Sequence, residues 1–409
     1  MKLLVFAHIP PPHHGQSYMV QLLLSGLRAA GERLPPGDPA RIECYHVNAQ
    51  FSDDIGQIGK PGFRKILLAL RFSWQAIRAR FRHGVTHFYY VPASSTRAAL
   101  YRDWIVLALC RPFFRRIIYH WHSVGLGDWL ATGARPWERW ITRRLLWRPD
   151  LSLVLTEGNR RDGELLESGR IEVVPNGMPD PCPAYDTGVR PRREARRAAR
   201  ALLLAGEEPG AAARAAAGGD PEVFQILYLS LCYRPKGLFD AVEGVVLANR
   251  QLREQGSRMR VRLTIAGKFF AESERLELEE RLRQPDLATG PESVRYVGFA
   301  SGADKERLFR ESDVFCFPSY YELEGHPVSL LEAMAFDLPC VVTRWRSLPA
   351  LFPPGYPGLI EPRAPAQVAS ALLGLLSGPP PIAFRARFLD EFTVDRFVER
   401  ISAALRTVE

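Results

Sequence analysis

The chain has 409 residues, is 46% hydrophobic and 24% charged, and carries a formal net charge of +9. That composition excludes a disordered polymer, and the length exceeds what one ordinary core spans, so two domains are expected. No apolar run reaches the roughly 18–20 residues needed to cross a bilayer. The six cysteines form no Cys-x-x-Cys pair, which argues for free thiols in a reducing, cytoplasmic compartment and against a disulfide framework or zinc site.

The charge is uneven. Residues 1–182 carry 24 Lys and Arg against 15 Asp and Glu, whereas residues 183–409 carry 30 of each. The whole excess therefore lies in the first part.

In chain order, residues 3–9 read as a buried strand. Pro10, Pro11 and Pro12 end it too early for a signal peptide, and Gly15 follows. Residues 17–29 have helical spacing. Residues 83–92, 116–121, 151–155 and 171–174 read as further strands with helices between. From residue 55 to residue 102 there is no carboxylate. Within that span Phe63, Leu67, Leu70, Trp74, Ile77 and Phe81 recur at alternating spacings of four and three, one helical face, with Arg64, Arg71, Arg78 and Arg82 beside it. Two readings stay open. The face packs on the core above a solvated basic flank, or the helix lies on an anionic membrane and brings the protein to a lipid-linked substrate.

Residues 183–222 break the alternation with an Ala/Arg-rich run, expected as a solvated helical or partly disordered insertion. It lacks the interleaved aromatics of a nucleic-acid tail, so no nucleic-acid partner is expected. Strands then resume at 224–230, 261–266, 294–297, 314–318 and 340–343. Two successive α/β series imply two doubly wound parallel sheets, with ligand sites outside the carboxyl ends of the strands.

The most informative stretch runs from Phe317 to Ala335. A strand ends at Pro318, a polar loop holds Glu324, Gly325, His326 and Pro327, and a helix starting near Pro327 contains Glu332. Proline suits a first helical turn, and free N–H groups at a helix start attract anions. Eight residues of helical rise would set the two carboxylates about 12 Å apart. That is too far for a hydrolase pair sharing one bond, and suits holding two ends of one elongated ligand.

Glu324-x7-Glu332 within Glu-Gly-x-Pro-x-x-Leu-Leu-Glu-Ala-Met-Ala resembles the signature of family 4 glycosyltransferases. So do Val173-Val174-Pro175-Asn176-Gly177, Lys236-Gly237, Ala266-Gly267, Tyr296-Val297-Gly298 and the Pro/Gly-rich turn at residues 10–15, in that family's order. The resemblance implies the GT-B fold: an N-terminal acceptor domain (1–182), the 183–222 insertion, a donor domain (223–383) facing the first across a central cleft, and a C-terminal segment (384–409) folding back on the first domain. It implies a retaining, metal-independent hexosyltransferase without a cofactor. The partners would be a UDP- or GDP-sugar donor and a glycan or lipid-linked acceptor, as in bacterial surface polysaccharide synthesis at the inner face of the membrane.

Carried over by residue, Glu324, His122 and Lys236 would be catalytic. Glu332, Gly325, His326, Pro327, Gly15, Arg234, Gly267 and Gly298 would line the donor, and Gln16, Ser17 and His120 would stand near the acceptor, with His120 the alternative to His122. Asn176 and Gly177 would shape a turn. The chain departs from the family at Leu231, where an Arg is usual and Arg234 is the substitute cation, at Ser230 in place of Gly, and at Ala350 in place of an acidic residue. A binding scaffold with the same fold and a sugar-nucleotide epimerase are the competing readings. A Gly125-x-Gly127 fragment is too short for a dinucleotide fingerprint, and there is no phosphate-binding Gly-x4-Gly-Lys loop or Asp-x-Asp metal motif.

Overall fold

The computed structural model describes residues 1–11, 15–35, 37–51, 63–92, 97–284, 293–378 and 383–409. Residues 12–14, part of the turn expected after the first strand, lie outside the described residues. Two compact units emerge. Unit 1 comprises Met1–Pro179, Glu322–Val328 and Glu391–Glu409, and unit 2 comprises Asp180–Tyr321 and Ser329–Asp390. Residues 322–328 and 391–409 thus group with unit 1, and residues 183–222 with unit 2.

In unit 1 the strands are β1 (Lys2–Ala7), β2 (Glu43–Asn48), β3 (His87–Tyr90), β4 (Arg116–His120), β5 (Leu151–Val154) and β6 (Ile171–Val173). They pair in parallel in the order β2-β1-β3-β4-β5-β6. Leu4, Phe6, Phe88, Tyr90, Ile117, Tyr119 and Val154 build the core. Strands buried on both faces have no polar face, which is why 88–91 is a continuous apolar run. The C-terminal helix Val394–Arg406 packs on the Gly15–Glu32 helix so closely that a Cβ on Gly26 would fall 2.2 Å from Val398 Cγ2.

In unit 2 the strands are β7 (Val223–Leu229), β8 (Arg260–Ala266), β9 (Val294–Tyr296), β10 (Val314–Phe317), β11 (Cys340–Thr343) and β12 (Leu359–Ile360), parallel in the order β12-β11-β10-β7-β8-β9. Each sheet has one point where strand order reverses: β1/β3 in unit 1 and β7/β10 in unit 2. Loops leaving the carboxyl ends of those strands diverge there and leave room for a ligand.

The Ala/Arg segment is helical as well as largely exposed, but one of its faces is buried rather than solvated. Its helix Arg190–Leu204 turns Arg193, Arg196 and Arg200 to one buried face. Arg196 Nε and Arg200 Nη2 lie 2.9 Å and 2.8 Å from the buried Asp313 carboxylate, while Arg193 donates to the Phe309 and Phe336 carbonyls. The segment 384–409 also divides. Arg385 holds its end in unit 2 through Asp180, at 2.6 Å, and the Ala335 carbonyl, at 2.7 Å. Residues from Glu391 onward group with unit 1. All six cysteines are free thiols. Among the described residues no helix is long and apolar enough to cross a membrane.

Candidate functional site

In unit 2 the chemistry-bearing groups gather where strand order reverses. Lys236 follows β7 and the loop from Pro318 follows β10. The loop after β10 is tied to both neighbours: Tyr320 N–H donates to the Pro235 carbonyl of the β7 loop at 2.7 Å, and Trp345 Nε1–H, from the loop after β11, donates to the Tyr321 carbonyl at 2.8 Å. Gly237 has φ +79°, and a Cβ there would fall 2.2 Å from the Pro318 carbonyl oxygen, so only glycine permits this approach. The Lys236 ammonium lies 5.7 Å from the Phe317 ring centroid and 4.7 Å from that of Tyr321. Aromatic faces hold the cation in place.

Arg234, the expected substitute cation, is otherwise engaged. Its guanidinium pairs with Glu277 and lies 4.4 Å from the Phe239 ring centroid. Its charge is paired within unit 2. Gly267 closes β8 with φ +154°, donates to the Gly298 carbonyl at 2.8 Å, and would place a Cβ 1.8 Å from the Ser230 carbonyl oxygen. Gly267→Ala should therefore force β7 and β8 apart and destabilise the protein by about 3 kcal/mol or more in urea unfolding.

Glu332, on the helix Val328–Ala335, is buried and pairs with Lys305. Burial pushes its carboxyl above the ordinary range, and the Lys305 ammonium opposes that push. Lys305 was not anticipated, and nothing in the pattern of its own helix, Gly302–Glu311, marks it.

In unit 1 the returning loop Glu322–Val328 brings Glu324, Gly325 and His326 to the end of β4. A Cβ on Gly325 would lie 3.0 Å from the His122 carbonyl oxygen. Asn176 Nδ2 donates to the His326 carbonyl at 2.9 Å, so the Pro-Asn-Gly turn anchors this loop. Glu324 is buried. The rings of His120 and His122 stand 4.1 Å apart. Glu324 and Glu332 thus belong to different units rather than to one continuous helical element.

His120 is fully buried, and its Nδ1 shares a hydrogen bond with the Tyr89 hydroxyl. Burial first, and His122 second, push its pKa well below the ordinary value, so it is neutral. Burial likewise lowers His46 and His87. As pH falls below about 6.5, the unfolded chain takes up protons that these native side chains refuse, so stability falls. The unfolding free energy from urea titrations should drop between about pH 7 and pH 5, by up to about 1.4 kcal/mol per pH unit for each such histidine.

Gly15 opens the helix Gly15–Glu32, and Gln16 is half-buried beside it. Ser17, expected near an acceptor, is fully buried. Among the described residues no three His, Cys, Asp or Glu side chains gather as a metal site.

Two doubly wound sheets, with Lys-Gly at one strand end and Glu-x7-Glu at another, define the GT-B class of chain. The fold is similar to that of a sucrose-phosphate synthase of Thermosynechococcus elongatus, with a TM-score of 0.67 at 18% identity over 100% of this chain and 99% of that one. It is also similar to Anabaena HepE, solved in complex with UDP, with a TM-score of 0.62 at 15% identity over 100% of both chains. Residues 225–378 match the family described as glycosyl transferases group 1.

Over 178 residues, 41% of each chain, the sequence is 32% identical to the amylovoran biosynthesis glycosyltransferase AmsK of Erwinia amylovora. Over 146 residues, 35% of this chain, it is 33% identical to a putative colanic acid biosynthesis glycosyltransferase, WcaL, of Salmonella typhimurium. The matches span 41% and 33% of those relatives' own lengths.

Proposed function

We propose that the protein is a retaining, metal-independent glycosyltransferase that moves a hexose from a nucleoside diphosphate sugar to a glycan or lipid-linked acceptor in bacterial surface polysaccharide synthesis. The observation that carries this reading is the Lys236 ammonium, held over Phe317 and Tyr321 where β7 and β10 part, in the same unit as the buried Glu332. Support comes from the group 1 match over 225–378 and from two relatives named for amylovoran and colanic acid biosynthesis.

Lys236 holds the diphosphate, and Glu332 accepts hydrogen bonds from the ribose hydroxyls. The bond from the anomeric carbon to the phosphate oxygen breaks through an oxocarbenium-like state. Negative charge grows on the departing diphosphate as it does so, and the ammonium stabilises that charge more than it stabilises the ground state. Glu324 and His122 address the sugar. The acceptor oxygen bonds to the same face of the anomeric carbon, and its proton passes to the leaving phosphate oxygen. A mass-spectrometric screen of UDP- and GDP-sugars should find one donor converted to free nucleoside diphosphate. NMR of the product should show the donor's anomeric configuration kept, and an inverted product would exclude the retaining assignment.

A further inference from the structure

The helix Phe63–His83 carries a surface that the transfer reaction does not use. Its apolar stripe, which could have packed on the core, faces outward: Phe63 is 73% exposed, Leu67 51%, Leu70 45%, Trp74 59% and Phe81 68%. The buried side is instead formed by Ala69, Phe72, Ser73 and Ala76. Three of those four side chains are small, which lets the helix sit close to the sheet and leaves the large ones standing away from it. Arg64, Arg71, Arg78 and Arg82 are exposed along one edge of the stripe, and Arg78 lies 5.4 Å from the Trp74 ring centroid.

The surface continues beyond this helix. Phe113, itself exposed, meets Phe81 edge-on with ring centroids 5.9 Å apart. The neighbouring helix Arg97–Cys110 packs against this one, and the next helix, Pro136–Leu146, packs against that. The last of the three exposes Trp137 and Trp140, with Arg143 and Arg144 exposed beside them.

We infer that this face of unit 1 docks on an anionic lipid bilayer, with the stripe seated at the level of the acyl boundary and the arginines on the headgroups. Aromatic and aliphatic side chains above a cationic edge are the pattern of a helix lying in an interface. Charge complementarity selects the occupant. From residue 55 to residue 102 there is no carboxylate, so a second copy of this helix would bring arginines against arginines, whereas acidic headgroups neutralise them. The surface and its test stand apart from the transfer chemistry.

The test is co-sedimentation of the full chain with vesicles of phosphatidylcholine alone and of phosphatidylcholine mixed with phosphatidylglycerol. Binding is expected only to the anionic vesicles and should weaken as salt rises. Arg71→Gln and Arg78→Gln should each lower partitioning about fivefold. The double variant Leu67→Glu with Trp74→Glu should lower it more than about tenfold. Both altered sites are solvent-exposed, so circular dichroism and the urea midpoint should be unchanged and should confirm a folded protein. No binding to anionic vesicles at low salt, or binding indifferent to these substitutions, would overturn the inference. So would a wild-type dimer that Trp74→Glu converts to monomer without vesicle binding.

Discussion

Lys236→Ala should reduce donor turnover by at least about a hundredfold while leaving the protein folded. Removing a single group that stabilises developing negative charge costs on the order of 3–4 kcal/mol in the transition state. In the folded protein the substitution removes the attraction between the ammonium and the faces of Phe317 and Tyr321, worth about 1 kcal/mol of stability. Arg234 cannot substitute, because its guanidinium is held by Glu277. Glu324→Gln should behave in the same way, with turnover lost and the urea midpoint kept, since the amide fills the same buried volume without the charge. Release of nucleoside diphosphate measures the first quantity and urea unfolding the second. Wild-type turnover in either variant would remove that residue from the mechanism.

The second large effect is on stability. Asp313→Ala should destabilise the protein by about 3–5 kcal/mol, because two buried guanidinium groups, those of Arg196 and Arg200, lose the carboxylate that stands 2.9 Å and 2.8 Å from them. The Gln225 backbone N–H, 2.9 Å from Asp313 Oδ2, loses its acceptor as well. Replacing Asp313, Arg196 and Arg200 together by apolar residues should cost much less than the single change, since a buried ion cluster removed whole leaves no uncompensated charge. Urea unfolding of the single and triple variants checks this, and equal losses in both would contradict the account.

Much of this organisation was legible in the residues. The buried strands stood out because parallel strands covered on both faces are largely apolar, as in β3, β10 and β11. The strand-end motifs were legible because the turns there need particular residues: glycine at 237 and 267, where a Cβ would strike a carbonyl, and asparagine at 176, where the amide anchors a loop 150 positions away.

What was missed has physical causes. β2 is an edge strand with one buried residue, Val47, so its sequence shows no apolar signal. β12 has two residues. The arginine helix looked solvated because charge periodicity does not reveal a distant partner, and Asp313 stands 113 positions from Arg200. Periodicity located the stripe on Phe63–His83 but could not say whether its face turned inward. The decisive feature is that a second face, rich in small residues, was available to pack on the sheet.

The most direct test of the central claim is calorimetric titration of UDP and GDP into the wild-type protein and into Lys236→Ala. Saturable binding of one of the two to the wild type, lost in the variant, is the predicted result. Failure of the wild type to bind either, or equal binding by both proteins, would contradict the assignment of this strand-end turn as the seat of an activated sugar's diphosphate.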